Sequence, residues 1–525
     1  MNIRFHTIGK SGVRFDCVII PTFEDTCATF AGFFAATSLS WLAASPALAD
    51  HVSKKNHITL CHGPADSSVP RTMLVGLGER GALCPQGLRA AIASAVKQCR
   101  SLGFSRLALP VAYCDPIAAA LGCDANEVVR EVVVSVFLAS YSCTAFRSGE
   151  ARKRGKETQD PAFFAPESLV LAHNAASVPV ALRQTVRLAE AEAAGVCLAR
   201  DLVNAPANIM TPARMAEEAV ALARRHGFAC RILHKAEMAK LGMEALLAVA
   251  EGSHKEARFI VLEHAPGSGK KRDPLVLVGK GISFDTGGIS LKPSAGMHHM
   301  KGDMAGGAAV LGLFEAIGKC PESVRQPVVG LIPCVENMPG GNASRPGDIV
   351  ATMSGKTVEI LNTDAEGRLI LCDALTYAQK NWKPSALVDI ATLTGACAVA
   401  LGNAGGGLFC TNDTLRELLA AEGELNGDRL WPMPLWDCMN ENLKSDIADM
   451  ANVGPREGGA ITAALFLRAF VGDAVPWAHL DIAGTGLAAK GSALCPAGGT
   501  GFGVRTLYAL ARKALDVRDS HRATR

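Results

Sequence analysis

The feature that most constrains the fold of this chain is a set of short apolar runs in its second half. Each run is long enough for one strand, is almost continuously hydrophobic, and is bounded by residues that favour turns. A strand that is apolar on both faces must be covered on both faces, so helices are expected above and below the sheet. The runs lie at residues 275–278, 328–332, 357–361, 387–391 and 477–482.

The first part of the chain alternates strands and helices in the same way. Residues 17–20, 72–75 and 107–111 are predicted strands, and residues 90–99 and 125–139 are predicted helices between them. This order predicts a compact α/β domain with a largely parallel sheet.

The length of the chain, 525 residues, predicts more than one domain. Apolar residues repeat at helical spacing over residues 179–204, which predicts one long linking helix. We therefore predict an α/β protein with a smaller N-terminal α/β domain, residues 1–177, and a larger C-terminal α/β domain, residues 178–525. The larger domain is expected to have a central mixed sheet covered by helices. The basic residues 147–156 are interpreted as a solvated surface loop.

The charge and the cysteine content bear on partners and environment. A formal net charge of +3 gives no electrostatic reason to expect nucleic acid or an anionic membrane as a partner. The 17 cysteines include no C-x-x-C pair, so buried thiols in a reducing compartment are predicted. Cys372 and Cys397 lie close to the motifs described below, but no histidine partner for a catalytic thiol is evident nearby.

One uncharged segment, residues 28–49, resembles an export signal because it ends in Ala47-Leu48-Ala49. The region before it contains Glu24 and Asp25, whereas an export signal begins with basic residues. Its Ser, Thr and Pro residues also dilute its hydrophobicity below that of a membrane-spanning helix. We therefore predict a cytoplasmic protein without a membrane segment.

The first motif, residues 278–310, reads VGKGISFDTGGISLKPSAGMHHMKGDMAGGAAV. A buried strand ends just before Lys280, and Asp285, Lys292 and Asp303 follow in a glycine-rich setting. In open α/β sheets ligands bind beyond the carboxyl ends of the strands, so these side chains are candidate site residues. Asp303 also precedes a predicted helix, where it could serve only as an N-cap.

The second motif, LNTDAEGRLIL at residues 361–371, follows another apolar run. Asp364, Glu366 and Arg368 lie on the turn into a predicted helix. The helix dipole alone favours acidic residues at a helix start, so a structural role is an alternative for the two carboxylates. A cation in the first turn opposes the dipole, so Arg368 is expected to have another use.

Together the candidate residues of the two motifs are four carboxylates and three cationic side chains. Four acids that converge in one crevice repel one another unless cations neutralise them. Oxygen ligands without cysteine suit Mg²⁺, Mn²⁺ or Zn²⁺, and two metal ions would balance the charge. His298 and His299 could add nitrogen ligands but are more simply interpreted as surface residues or as residues that contact the ligands.

The octapeptide NTDAEGRL at residues 362–369 resembles the signature of the leucyl aminopeptidase family, the M17-type cytosol aminopeptidases. Further segments are similar to family segments in the same order, and the resemblance is strong over about residues 200–510. In the first domain it is weaker and rests on FDCVIIPTFED and RTMLVGLGE. The further C-terminal segments read RDLVNAPANIMTP, VGKGISFDTGGISLKP, ENMPGGNASRPGD, ATLTGA, WAHLDIAG and GGTGFGVRTL.

The resemblance implies a site for two divalent cations, with Mn²⁺ favoured and Zn²⁺ the alternative. The residues matching Lys280 and Asp303 bind one metal in the family, the lysine through a neutral amine. Asp364 matches the residue that binds the other metal. Asp285 and Glu366 match ligands that both metals share.

The resemblance also implies catalytic and substrate-binding residues. Lys292 and Arg368 match the two residues usually called catalytic. Lys292 is expected to stabilise the developing oxyanion, and Arg368 is expected to hold a bicarbonate ion that acts as general base. The residues expected to contact the substrate are Met300, Thr392, Leu393 and Gly395.

The family further implies a macro-like N-terminal domain, a catalytic C-terminal domain and a homohexamer that acts on peptides in intracellular peptide turnover. Unblocked N-terminal residues, with leucine and other apolar side chains preferred, are the expected substrates. His298, His299 and Gly302 depart from the family pattern and leave the exact side-chain preference open.

Three alternatives remain open from the sequence. The first is a DNA-binding second role on the same scaffold, which the near-neutral charge disfavours. The second is a two-metal phosphatase or amidase, because a carboxylate cluster alone does not specify the substrate. The third is nucleotide binding by the first domain, although it contains no phosphate-binding loop.

Overall fold

The computed structural model describes residues 1–7, 15–25, 40–43, 45–64, 67, 69–157, 160, 164–266, 272–513 and 515. The chain divides into two compact units. The first comprises Met1–Ala193 with Gly491–Pro496, and the second comprises Ala194–Lys490 with Ala497–Arg525. The domain boundary at 177/178 stays a prediction.

The first unit contains a six-stranded sheet in the order β1-β6-β5-β2-β4-β3. All neighbouring strands are parallel except β3, which runs antiparallel to β4. The predicted largely parallel sheet is therefore confirmed, and each predicted strand lies within an observed one or ends one residue beyond it. The strands are β1 (Asn2–Thr7), β2 (Cys17–Phe23), β3 (Ile58–His62), β4 (Arg71–Gly78), β5 (Arg106–Pro110) and β6 (Ser168–His173).

Helices of the first unit include the two that the apolar periodicity predicts. The basic segment interpreted as a loop over 147–156 is instead mostly the helix Gly149–Glu157, because its Glu, Ala, Arg and Lys residues are good helix formers. Residues 28–39 and 44 of the uncharged segment lie outside the described residues. The helices are α1 (Ser40–Ala43), α2 (Pro46–Ala49), α3 (Pro85–Ser101), α4 (Cys114–Leu121), α5 (Ala125–Ser140) and α6 (Gly149–Glu157).

The predicted linking helix is observed as α7 (Val180–Asn204) and carries the chain from the first unit into the second. The next helix, α8 (Pro212–His226), begins as its sequence predicts. The Thr211 hydroxyl accepts a hydrogen bond from the backbone N–H of Arg214, and Pro212 occupies the first turn. Among the described residues, no helix combines the length and the apolar character needed to cross a bilayer.

The second unit is built on a nine-stranded mixed sheet. Eight strands follow the order β16-β15-β18-β14-β9-β11-β8-β7, and β10 pairs with β11 beyond the end of β9. The central strands β18, β14, β9 and β11 are parallel, whereas β15, β8 and β7 introduce antiparallel pairs. The strands are β7 (Ala229–Leu233), β8 (Arg258–His264), β9 (Leu275–Gly279), β10 (Gly281–Asp285), β11 (Val328–Asn337), β14 (Ala386–Ala391), β15 (Gly406–Cys410), β16 (Leu430–Pro432) and β18 (Trp477–Asp481).

The predicted strand at 357–361 exists but is not part of the central sheet. It forms β13 (Thr357–Ile360), which pairs with β12 (Asp348–Ala351) and β17 (Met450–Ala451) in a separate three-stranded sheet. Only alternate residues of β13 are buried, so its alternation marks a half-exposed strand. A short pair, β19 (Leu487–Ala488) and β20 (Gly498–Gly499), completes the strands that the described chain shows.

Helices pack on the central strands of this sheet, as the continuous apolar runs predict. The core contains fully buried Phe259, Phe409, Phe466 and Trp477, each worth roughly 1.5–3 kcal/mol in transfer free energy. The remaining helices are α9 (Lys235–Lys240), α10 (Glu244–Ala250), α11 (Ala305–Lys319), α12 (Gly367–Asn381), α13 (Gly395–Leu401), α14 (Asp413–Asn426), α15 (Gly459–Arg468) and α16 (Val504–Arg512).

Candidate metal centre

Lys280 lies at a break in the central sheet, between β9 and β10. Its backbone N–H donates to the Ile390 carbonyl at 3.0 Å, and its own carbonyl accepts from the Gly307 N–H at 2.7 Å. The start of α11 can approach this closely only because Gly306 has no side chain. A Cβ there would lie 2.0 Å from the Ile390 carbonyl oxygen. The break therefore directs the buried Lys280 side chain away from the regular hydrogen-bonding pattern of the strands.

The Lys280 ammonium contacts groups from three other segments. Its Nζ lies 2.8 Å from Asp303 Oδ2 and 2.9 Å from Glu366 Oε1. It also donates to the Thr392 carbonyl at 3.0 Å. A Cβ at Gly367 would come within 2.8 Å of Nζ, so the glycine of the second motif leaves room for this side chain. The structure thus brings together residues of both motifs and the ATLTG segment.

Lys292 joins the remaining two carboxylates. Its Nζ lies 2.8 Å from Asp285 Oδ2 and also contacts Asp364 Oδ1. The loop that returns Lys292 to the strand end passes through Gly287 and Gly288, both with positive φ.

Neither Asp303 nor Glu366 makes the side-chain hydrogen bond of an N-cap. Asp303 ends the 3₁₀ helix Met297–Gly302, and the N-cap of α11 is Met304. Glu366 is the N-cap of α12, but its side chain makes no capping hydrogen bond. Both carboxylates are instead directed at Lys280.

A group of carboxylate oxygens is close enough to share cations. One oxygen each from Asp285, Asp364 and Glu366 lies within 4.8 Å of the other two. Asp303 Oδ2, Asp364 Oδ1 and Glu366 Oε1 are buried, and each faces the ammonium group of Lys280 or Lys292. Four carboxylates against two ammonium groups leave an excess of acid, which fits divalent metal ions with oxygen ligands.

The charges of the cluster perturb one another strongly. Burial raises the pKa of Asp303, Glu366 and Asp364, and neighbouring carboxylates raise the pKa of each further. Burial would lower the pKa of Lys280, but Asp303 and Glu366 outweigh it and hold that pKa above its usual value. The carboxylates around Lys292 raise its pKa in the same way.

Arg368 is buried beside this cluster. Its Nη1 donates to the Asn452 carbonyl at 2.8 Å, whereas its Nε has no hydrogen-bond partner in the described part of the chain. Burial lowers the pKa of Arg368 to about 10 against the opposing effect of Glu366 and Asp481. The side chain therefore stays charged at neutral pH and has one donor directed at no protein acceptor.

Of the remaining predicted residues, Thr392 contacts the cluster. Thr392 Oγ1 donates to Asp303 Oδ1 at 2.7 Å. Leu393 and Met300 are half-buried, Met300 in the 3₁₀ helix before Asp303, and Gly395 is exposed at the first turn of α13. His298 and His299 are exposed, their rings lie 4.0 Å apart with a tilt of 41°, and neither belongs to the group of oxygen donors.

Two asparagines of the site were not found by sequence reasoning. Asn337 Nδ2 donates to Asp285 Oδ1 at 2.8 Å and to the Thr363 carbonyl at 3.0 Å. The Asn452 carbonyl accepts a hydrogen bond from Arg368. The Asn452 side chain accepts from the Leu361 N–H and donates to the Asn362 carbonyl, at the start of the second motif. Asn337 ends the buried strand β11, so its position at a strand end was a usable signal.

The two cysteines near the motifs are buried. Burial raises the pKa of Cys397 to about 12 and that of Cys372 well above its usual value. Because the thiolate is the nucleophile, these thiols are not catalytic groups.

Two family profiles match this chain. The catalytic domain of the cytosol aminopeptidase family matches residues 197–508, and the N-terminal domain of the same family matches residues 19–150. The chain belongs to the cytosol aminopeptidase family, whose members are aminopeptidase hydrolases.

Curated relatives are similar to this chain over nearly its whole length. A "Probable cytosol aminopeptidase" of Nitratidesulfovibrio vulgaris is 49% identical over 98% of this chain and 99% of its own. A protein of the same name from Desulfovibrio desulfuricans is 47% identical over 98% and 99%.

Two solved structures resemble this one. The bottromycin maturation enzyme BotP in complex with Mn has a TM-score of 0.80 and 34% identity, covering 95% of this chain and 99% of that one. A mutant of tomato leucine aminopeptidase has a TM-score of 0.81 and 31% identity, covering 98% and 97%.

Proposed function

We propose that this aminopeptidase uses two divalent cations to remove unblocked N-terminal residues from peptides, with leucine and other apolar residues preferred. The observation that carries the proposal is the buried cluster of four carboxylates, three of which place oxygens within 4.8 Å of one another. Two lysines alone leave this cluster with an excess of negative charge.

The proposed ligands divide into two sets that share members. Lys280, as a neutral amine, and Asp303 would hold one cation, and Asp364 would hold the other. Asp285 and Glu366 would contact both. When bound, the two cations would supply Lewis-acid polarisation of the substrate carbonyl and a water of lowered pKa.

The chain's own residues orient and stabilise the reacting groups. Lys292 is half-buried, with its ammonium beside Asp285 and Asp364, from where it would donate to the oxygen that becomes negative in the transition state. Arg368 Nε is buried and has no acceptor among the described residues, which suits a small anion such as bicarbonate. That anion would supply a general base.

The substrate would lie between the cluster and the segment of Thr392, Leu393 and Gly395, with Met300 beside its first side chain. We propose Mn²⁺ as the metal, supported by the Mn complex of the similar BotP, with Zn²⁺ as the alternative. Assembly as a homohexamer, a cytoplasmic location and a role in intracellular peptide turnover are proposed from the family resemblance. So are domain limits of 1–177 and 178–525.

The test of the reaction compares three substrates on purified protein loaded with Mn²⁺. Leu-p-nitroanilide should be cleaved, whereas its N-acetylated form and p-nitrophenyl phosphate should not, because a free amine must ligate a metal. Cleavage of the acetylated form would contradict the aminopeptidase, and cleavage of the phosphate ester would support the phosphatase alternative. Metal analysis should find two cations per chain.

The test of assembly and location uses the intact protein. Light scattering should give a mass near six times 54.9 kDa, and a monomer would contradict the hexamer. Recovery of a mature chain that begins at Asp50 would contradict the cytoplasmic location. A gel shift at physiological salt tests the DNA-binding alternative, which near-neutral charge disfavours.

A further inference from the structure

Asp481 is a fully buried carboxylate at the carboxyl end of β18. Its Oδ1 accepts from the backbone N–H groups of Leu393 at 3.2 Å, Thr394 at 3.4 Å and Ala483 at 3.2 Å. Its Oδ2 accepts from the Thr394 hydroxyl at 2.6 Å. One side chain therefore joins the loops that leave two neighbouring strands, β14 and β18.

The loop held by Asp481 includes Thr392, which contacts two proposed metal ligands. The Thr392 carbonyl accepts from Lys280 Nζ at 3.0 Å, and the Thr392 hydroxyl donates to Asp303 Oδ1 at 2.7 Å. Both contacts depend on the orientation of one residue in a segment between a strand and a helix. Outer hydrogen bonds of this kind orient metal ligands and tune their basicity.

We infer that Asp481 is a positioning residue that fixes the Thr392 loop and, through it, the orientation of Lys280 and Asp303 toward one of the two cations. The inference rests on the proposed function for the identity of the cation site. It assigns no contact between Asp481 and the substrate or the metal.

The hydrogen bonds explain why a carboxylate is needed at this position. The backbone N–H groups of Leu393 and Thr394 lie outside regular helix or strand, and Asp481 is the acceptor for both. The Thr394 hydroxyl also accepts from the Cys397 N–H at 3.0 Å and so caps α13 while it donates to Asp481. Asp481 therefore fixes both the loop and the start of the following helix.

The first test measures Mn²⁺ binding to metal-depleted protein by calorimetry and by equilibrium dialysis. Asp481→Ala should weaken one of the two sites about 10- to 100-fold and leave the other unchanged. Asp481→Asn should bind both cations with nearly wild-type affinity, because its amide oxygen still accepts the three N–H groups. The kcat for Leu-p-nitroanilide should follow the occupancy of the weakened site.

The control is Asp428→Ala, since Asp428 is a second buried carboxylate in the same unit. It accepts from the backbone N–H of Thr506 at 3.2 Å and from its hydroxyl at 3.1 Å, apart from the metal cluster. This variant should lose stability but keep both affinities. If Asp481→Ala does not fold, Thr394→Val replaces it and Thr394→Ser is its control.

The outcomes separate the two proposals. Wild-type protein that binds fewer than two Mn²⁺ ions would contradict the proposed function. Wild-type protein with two sites, together with an Asp481→Ala protein whose two affinities are unchanged or equally reduced, would overturn the role of Asp481 alone. An equal loss of Mn²⁺ affinity in Asp428→Ala would likewise show that the effect is one of general destabilisation.

Discussion

Both units of the chain bury charged side chains, but they balance them differently. In the first unit Arg89 on α3 contacts Glu131 on α5 at 2.6 Å. Arg130 contacts both Glu131, at 3.4 Å, and Glu192, at 3.2 Å. Each of these two buried carboxylates thus has a guanidinium partner.

The metal cluster of the second unit is not balanced in this way. Among the ion pairs of the described residues, its four carboxylates face two ammonium groups, those of Lys280 and Lys292. Acids therefore outnumber cations in these ion pairs.

The comparison teaches how a structural ion network differs from a site. Burial of a charge is costly unless partners neutralise it. In the metal cluster the carboxylates outnumber the ammonium groups that pair with them, which favours a ligand that supplies positive charge. Substitutions in the second unit should therefore change metal content and catalysis, and those in the first should change stability.

The largest expected effect is that of Lys280→Met. The variant should lose one of two bound cations and about 10³-fold or more in kcat/KM, because metal-based charge stabilisation is worth several kcal/mol. Metal analysis after dialysis, together with steady-state kinetics, measures both quantities. Two retained cations with near-normal activity would show that Lys280 is not a ligand.

Lys292→Ala separates the second lysine from the first. It should keep the fold and both cations but reduce kcat by about 10²-fold or more, as for the loss of an oxyanion donor. The same metal and kinetic measurements apply, and Lys280→Met is the matched control. Loss of a cation from Lys292→Ala would remove the distinction between the two lysines.

Arg89→Met tests the balanced network. Removal of one partner of a buried pair should reduce the free energy of unfolding by about 3 kcal/mol and leave Mn²⁺ affinity unchanged. Denaturant unfolding provides the measurement.

Its control is Arg106→Met, because the Arg106–Asp16 pair of the same unit is partly exposed, with side-chain exposures of 43% and 21%. This control should cost about 1 kcal/mol or less. Equal effects of the two substitutions would argue against burial as the cause.

The smallest expected effect is on the pH dependence of the free energy of unfolding, through His51 of the first unit. Burial lowers the pKa of His51 to about 4, and its neutral ring bridges the hydroxyls of Thr22 and Thr59 at 2.8 Å each. The folded state then binds fewer protons than the unfolded state, whose pKa is near 6.5. The stability from neutral His51 is complete above about pH 6.5 and is lost as the pH falls toward 4.

The measurement is the free energy of unfolding at pH 7.5 and pH 5. Wild type should lose about 1–2 kcal/mol more over this interval than His51→Gln. His57→Gln, which alters an exposed neighbouring histidine, should behave like wild type. A wild type and a His51→Gln variant with equal pH dependence would contradict the assignment.

Local patterns predicted most of the fold, and their failures are instructive. Continuous apolar runs identified the central strands β9, β11, β14 and β18. The run at 357–361 was wrongly placed in the central sheet because a half-exposed strand can carry similar residues. The polarity of the basic segment at 147–156 predicts a surface loop. The structure has mostly helix there, because the helix propensity of its residues is high.

The sequence predicts the charged candidate residues of the site but not the residues that support them. Lys280, Asp285 and Glu366 follow apolar runs and stand out by charge. Asn337 and Asp481 hold these groups or their neighbours in place through hydrogen bonds from other strands. Both residues end buried strands, which is a local signal, but the sequence does not show which distant groups they contact.

The amino-acid sequence by itself determined the class of fold, the order of its elements and the charged residues at the strand ends, because hydrophobic periodicity and turn chemistry act over a few residues. Only the tertiary structure decided which of these residues meet. Lys280 and Thr392 are 112 residues apart in the chain and 3.0 Å apart in space. Parallel strands bring such residues to one edge of the sheet, and burial there turns separate charges into one coupled cluster.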